Sequence, residues 1–189
     1  LLFSGFTAII LFDAETLAGT DSGELDRLFS DMGVIKSVNA LPVEVRLMDM
    51  TGRPVRISDY RGKIVFLNFW TTWCFTCRIE MPGMEKLHQQ FKNKDFAMVA
   101  INLQESASQV TQFFKDFNLT FKALLDSDGA VGAHFRITAI PTTFILDKEG
   151  IIIGKVMGPR EWGEPKAFAL FEHLTNTTAA ATSSLSSAQ

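Results

Sequence analysis

The residues of this 189-residue chain best suited to covalent chemistry are its two cysteines, Cys74 and Cys77, set three apart in Trp73-Cys74-Phe75-Thr76-Cys77. With no third or fourth cysteine in the chain, a four-thiolate zinc ribbon is excluded. Taken alone, such a pair is a redox dithiol, half of a metal site, or a chance spacing. Its setting favours the first. Residues 64–69 (Ile-Val-Phe-Leu-Asn-Phe) are nearly all apolar, the pattern of a strand buried on both faces. A helix is expected from about residue 74 to 92, with Met84, Leu87 and Phe91 on one face and Pro82 inside it. The pair therefore stands where a central strand meets a helix N-terminus. There, free amides and the helix dipole favour an anion and lower a thiol's pKa. Cys74, at the helix start, is the expected exposed nucleophile; Cys77 would resolve the mixed disulfide.

Two further positions belong to this chemistry. Glu80 is three residues beyond Cys77, hence on the same helix face. A carboxylate there can take and return a thiol proton during exchange; the plainer alternative is a surface glutamate paired with Arg78 or Lys86. Pro141, in Ile140-Pro141-Thr142-Thr143-Phe144, opens a strand in which proline cannot donate to the ladder. It marks either a special site or an ordinary turn.

The elements that must hold these groups follow from the patterning. Residues 43–48 alternate as a half-buried strand and residues 55–57 return after a Gly-Arg-Pro turn. Strands are expected at 96–103, 122–125, 142–146 and 151–157, the last two as a hairpin. Helices are expected after the Ser106/Gln109 capping box, near 130–135 and at 165–174. Strand and helix alternate before a closing hairpin and helix, so the fold class is α/β with a mixed sheet. A net charge of −3 and a pI near 5.6 give no basic footprint for nucleic acid.

The ends read differently from the middle. Residues 1–12 are uncharged and mostly apolar, too short to span a bilayer but suited to part of a membrane anchor or signal segment. Residues 13–40 read as a tether with one short amphipathic helix around Leu25, Leu28 and Phe29. Residues 41–174 form the folded domain, and 175–189, without any charge, read as a disordered tail.

The stretch Phe69-Trp70-Thr71-Thr72-Trp73-Cys74-Phe75-Thr76-Cys77-Arg78-Ile79-Glu80-Met81-Pro82, followed by Ile140-Pro141-Thr142-Thr143-Phe144, closely resembles the thioredoxin superfamily. More narrowly it is similar to the membrane-anchored TlpA/ResA/CcmG-type thiol-disulfide oxidoreductases, as are Ser58-Asp59-Tyr60-Arg61-Gly62-Lys63 and Leu124-Leu125-Asp126. The resemblance spans about residues 41–174. It implies a thioredoxin-like fold, a central mixed sheet with helices on both faces, an extra N-terminal β-hairpin and a central insertion. It also implies that Pro141 is cis and faces the cysteines, and that the Ile140 backbone pairs with substrate. Trp73, Phe75 and Thr76 would frame the docking surface. The implied activity is reduction of extracytoplasmic protein disulfides, for example in cytochrome c maturation, with a membrane protein as electron donor and no cofactor beyond the cysteine pair.

Two departures stand out. The buried Asp that thioredoxins carry on the preceding strand is Asn68 here, and the proline before the second cysteine is Thr76. Glu80 is the candidate replacement for the missing acid. The competing class is a copper-binding or copper-delivery module on the same fold, since two thiolates and one histidine suit Cu(I); His134 is the histidine placed to serve it. A peroxidase is disfavoured because the cysteines are adjacent and lack the threonine-containing peroxidatic pattern.

Overall fold

The computed structural model describes residues 14–37 and 42–177. In chain order the elements are α1 (Ala14–Met32), β1 (Ile35–Lys36), β2 (Arg46–Asp49), β3 (Pro54–Arg56), a 3-10 turn (Ile57–Tyr60), β4 (Ile64–Trp70), α2 (Phe75–Phe91), β5 (Phe96–Leu103), α3 (Ala107–Asp116), β6 (Lys122–Asp126), α4 (Ala130–His134), β7 (Thr142–Leu146), β8 (Ile152–Met157) and α5 (Pro165–Asn176). One eight-stranded mixed sheet runs β1-β8-β7-β4-β5-β6-β2-β3. β4, β5 and β6 are mutually parallel, β7 is antiparallel to β4, and β8 is antiparallel to β7. This is the expected thioredoxin-like architecture. The β2–β3 hairpin is the N-terminal addition, joined antiparallel to β6. The α3–β6 segment between β5 and α4 is the insertion.

β4 organises the interior. All seven of its residues are buried because both faces of the sheet are covered. Side chains alternate along a strand, so Phe66 and Trp70 enter the core beneath α2, α3 and α5, while Val65, Leu67 and Phe69 enter the opposite core with Phe144 and, at its edge, Val131 and Phe135 around α4. Asn68 shares the parity of Phe66 and Trp70. It therefore faces α2, which is the fact that matters for the site. Phe66 packs edge-on to Trp162, with ring centroids 4.8 Å apart.

Two boundaries differ from the sequence expectation. The stretch read as a tether with a short helix carries a 19-residue helix, and this helix docks. Leu28, Phe29 and Met32 are buried in the main core with Leu25 packed at its edge. These four positions form one helical stripe, but the residues before them carry no such spacing, so only the second half of α1 was visible. At the other end, α5 continues to Asn176, and the Thr175 hydroxyl donates to the Phe171 carbonyl at 2.8 Å. The apolar residues 1–12 and most of the expected tail lie outside the described residues. Among the described residues no helix is long and apolar enough to cross a membrane.

α1 is held chiefly by that stripe. Phe29→Ala is expected to lower the unfolding free energy by about 3–5 kcal/mol, the usual loss when a buried phenylalanine is truncated, read from urea midpoints at constant slope.

Candidate active site

α2 begins at the sheet's C-terminal edge, directly after β4. Cys74 is its N-cap, with extended backbone, and its Sγ accepts the Cys77 N–H at 3.2 Å. One of the helix's orphan amides is thereby satisfied by sulfur, which is the arrangement that favours a thiolate when the pair is reduced. In the structure the two sulfurs are joined as a disulfide, with Cα atoms 5.3 Å apart. The Thr76 Oγ1 lies 3.5 Å from the Cys74 Sγ.

Cys74 is not exposed as expected: only 6% of its surface meets solvent, and Cys77 is wholly buried. As N-cap, the Cys74 side chain folds back over the first turn instead of projecting outward. The exposed groups are its neighbours, Trp73 at 72% and Phe75 at 74%. Ile79, four residues after Phe75 and thus on the same helix face, is 54% exposed and was not singled out from the sequence.

The Ile140–Pro141 peptide bond is cis. The segment is pinned on both sides: the Thr142 hydroxyl donates to the Ala139 carbonyl at 2.7 Å, and the Gly158 N–H donates to the Pro141 carbonyl at 2.8 Å. Pro141 is buried and Ile140 half-buried at the edge of the main core, which also holds Cys74 and Cys77.

Glu80 is the unusual group. It is only 2% exposed and pairs with neither Arg78 nor Lys86, as a surface glutamate would. Its Oε1 accepts from Asn68 Nδ2 at 3.1 Å; its Oε2 accepts from Trp162 Nε1 at 3.0 Å and from the Arg160 N–H at 3.3 Å. Burial raises its pKa to about 7, and the three donors oppose that rise without cancelling it. Asn68 Nδ2 also donates to Thr143 Oγ1 at 3.0 Å, its direct cross-strand neighbour on β7. The loop bearing Arg160 and Trp162 reaches Glu80 because α2 meets it through glycine. A Cβ on Gly83 would lie 2.9 Å from the Gly163 nitrogen, so only a residue without a side chain permits that approach. Gly83 is one turn beyond Glu80, on the same face.

A second buried carboxylate holds the segment entering the cysteines. Glu105, just past β5, accepts from the Thr72 N–H at 2.7 Å, the Thr72 hydroxyl at 2.5 Å and Asn102 Nδ2 at 2.6 Å. The Arg78 guanidinium lies over the Phe117 and Phe113 rings, 5.1 and 5.6 Å from their centroids, and reaches the Thr72 carbonyl at 3.4 Å. Sequence reasoning missed Glu105, Trp162 and Arg160. A carboxylate at the carboxyl end of a central strand is a usable signal for the first; nothing local marks the other two, which come from 80 or more residues away. His134 is exposed on α4. Among the described residues, no three His, Cys, Asp or Glu side chains gather as a metal site.

The chain and its fold are similar to known proteins. The AhpC/TSA family matches residues 39–155. A protein of Bacillus thuringiensis named thiol-disulfide oxidoreductase ResA is 36% identical over 110 residues, 58% of this chain and 64% of its own. Its namesake in Bacillus subtilis is 38% identical over 112 residues, 59% of this chain and 63% of its own. The chain thus spans just under two thirds of these relatives' length. The crystal structure of StoA from Bacillus subtilis superposes with a TM-score of 0.59 at 28% identity, covering 69% of this chain and 99% of that one.

Glu80 should dominate one part of the pH dependence of stability. The folded protein holds this proton up to about pH 7, whereas the unfolded chain releases it near the ordinary value of 4.5. Between those values the folded state binds more protons, so stability falls as pH rises. The loss through that window is on the order of 3 kcal/mol, with no further contribution above it. Urea unfolding of the disulfide form from pH 4 to 8 measures it. Glu80→Gln should flatten the slope.

Proposed function

The chain belongs to the AhpC/TSA family, and from that premise we propose that it is a thiol-disulfide oxidoreductase acting as a reductase through Cys74 and Cys77. The carrying observation is the Cys74–Cys77 disulfide at the N-terminus of α2, with Cys74 as the capping residue. The names of the relatives support the same reaction.

In the reduced protein, the Cys74 thiolate attacks one sulfur of a substrate disulfide and displaces the other as a thiolate. Cys77 then gives up its proton, attacks the Cys74 sulfur and releases the second substrate thiol. Two electrons pass to the substrate, and the protein is left with the Cys74–Cys77 disulfide. A dithiol donor must reduce that bond to reset the cycle. Glu80 is the proton-handling group: its raised pKa lets it exist in both states near neutrality, as an acceptor for the Cys77 proton and a donor in the return step. Asn68 cannot take that role, but as an amide it holds Glu80 by donation.

Trp73 and Phe75 offer flat apolar surface beside the sulfurs, with Thr76 between the two cysteines. Ile140, preceding the cis Pro141, supplies backbone for an extended substrate segment. The substrates we infer are extracytoplasmic protein disulfides, such as those handled in cytochrome c maturation. The electron donor would be a membrane protein, with the apolar residues 1–12 associating with the membrane. The cycle uses no cofactor beyond the cysteine pair. The copper-module reading lacks a third ligand among the described residues, and no observation favours it.

The reduced protein is expected to reduce insulin disulfides, and Cys74→Ser to abolish turnover. Limiting iodoacetamide should modify Cys74 before Cys77, read by peptide mass spectrometry; preferential labelling of Cys77 would reverse the assignment. Glu80→Gln should slow exchange and change the pH profile of alkylation. Fractionation of the native protein tests the membrane and extracytoplasmic placement.

A further inference from the structure

The loop between β8 and α5 faces two ways. Inward, the Arg160 N–H and the Trp162 indole both donate to Glu80 Oε2. Outward, the Arg160 guanidinium reaches the N-terminal helix: its Nε donates to the carbonyl of Met32, the last residue of α1, at 3.0 Å. Its Nη1 also donates to the carbonyls of Pro159 at 2.9 Å and Met157 at 3.3 Å. Arg160 thus closes the C-terminal end of α1, where carbonyls lack helical partners and a cation is favoured. Gly33, the next residue, has φ +62, and a Cβ there would stand 3.0 Å from Nη2. The glycine gives the guanidinium its room. None of this is required by a thiol exchange at Cys74 and Cys77, yet one residue contacts both the docked helix and the buried acid.

We propose that Arg160 is a positioning residue that couples the seating of α1 to the protonation state of Glu80. The functional consequence rests on the reading of Glu80 as the group that exchanges a proton with Cys77. When α1 is seated, the Met32 carbonyl holds the guanidinium, and the loop backbone keeps its N–H on the Glu80 carboxylate. When α1 is unseated, that anchor is lost, the donor moves away, and the protonated form of Glu80 gains. The groups bonded to Glu80 are Asn68 from β4, with Thr143 from β7 behind it, and Trp162 and Arg160 from the loop; Cys77 lies three residues back along α2, on the same helix face. Arg160 is the charged one among them, and both its N–H and its charge favour the carboxylate.

The test uses the disulfide form, in which neither cysteine titrates. Glutamate carboxyl carbons labelled with 13C are followed by NMR across pH, and Glu80 is assigned by loss of its signal in Glu80→Gln. Arg160→Ala should raise the Glu80 midpoint by roughly half a pH unit or more, since it removes the charge and the anchor to Met32 that holds the backbone N–H in place. Arg160→Lys, which keeps the charge but loses the fork, should fall between. Phe29→Ala, or Phe29→Leu if the alanine variant does not fold, should raise the midpoint without touching Glu80, and Arg160→Ala combined with it should add little further. A midpoint unmoved by Arg160→Ala in the folded protein overturns the proposal. A midpoint moved by Arg160→Ala but not by the Phe29 variants overturns the link to α1. The catalytic reading fails separately: it falls if Glu80→Gln leaves the alkylation profile of the reduced protein unchanged, whatever the NMR midpoints do.

Discussion

Burial of the Glu80 carboxyl is the constraint around which the rest is arranged. An ionised carboxylate taken out of water without compensation costs several kcal/mol. Two remedies exist, holding the proton or supplying donors, and this site uses both in part. Three donors converge from β4 and from the loop ahead of α5, enough to make the charged form accessible. They do not offset desolvation fully, so the group titrates near neutrality instead of in the acid range. A further donor would move the balance toward the carboxylate, and the loss of one would move it toward the acid.

That balance explains the departure at Asn68. An aspartate at this position would place a second carboxylate at the 3.1 Å contact now made by the amide. Two like charges at that range cannot both ionise, and one would be held protonated. With an acceptor on the helix facing it, the strand residue must donate, and asparagine is the donor isosteric with aspartate. The Glu80 carboxylate, which when ionised can only accept, fixes which way the amide points, and the cross-strand hydroxyl of Thr143 accepts from the same nitrogen. The glycine contact between α2 and the 158–163 loop does comparable work from the other side, by bringing Trp162 within reach.

What could be read from the chain itself divides along physical lines. β4 was legible because burial on both faces leaves an unbroken apolar run, and α3 because its capping box is local. Cys74, Cys77 and Glu80 were legible because their relation is a helical spacing within seven residues. The docking of α1 was half legible: its apolar stripe covers only the second half of the helix. Arg160 and Trp162 could not be found in this way: they meet Glu80 of α2 from the loop ahead of α5, at sequence separations of 80 and 82, and no local pattern encodes a contact of that kind. Glu105 is marked by its place just past a central strand, but its partner Thr72 lies 33 residues away. Cys74 shows the reverse case. Its helix-start position was read correctly, but its exposure was not, because an N-cap side chain turns inward to meet its own helix.

The indole of Trp162 has a consequence of its own. It is fully buried, it packs against Phe66 and Phe171, and its one polar atom is committed to Glu80. Trp70 is buried elsewhere in the core and Trp73 stands in water, so the chain's three tryptophans occupy three distinct environments. An indole N–H bonded to a carboxylate sits in a different field from one bonded to a neutral acid, and its absorption and emission shift with that field. Trp162 is therefore an optical reporter wired to a single proton. The molecule carries its own indicator dye for the acid buried one helical turn beyond Cys77, with no label to be added.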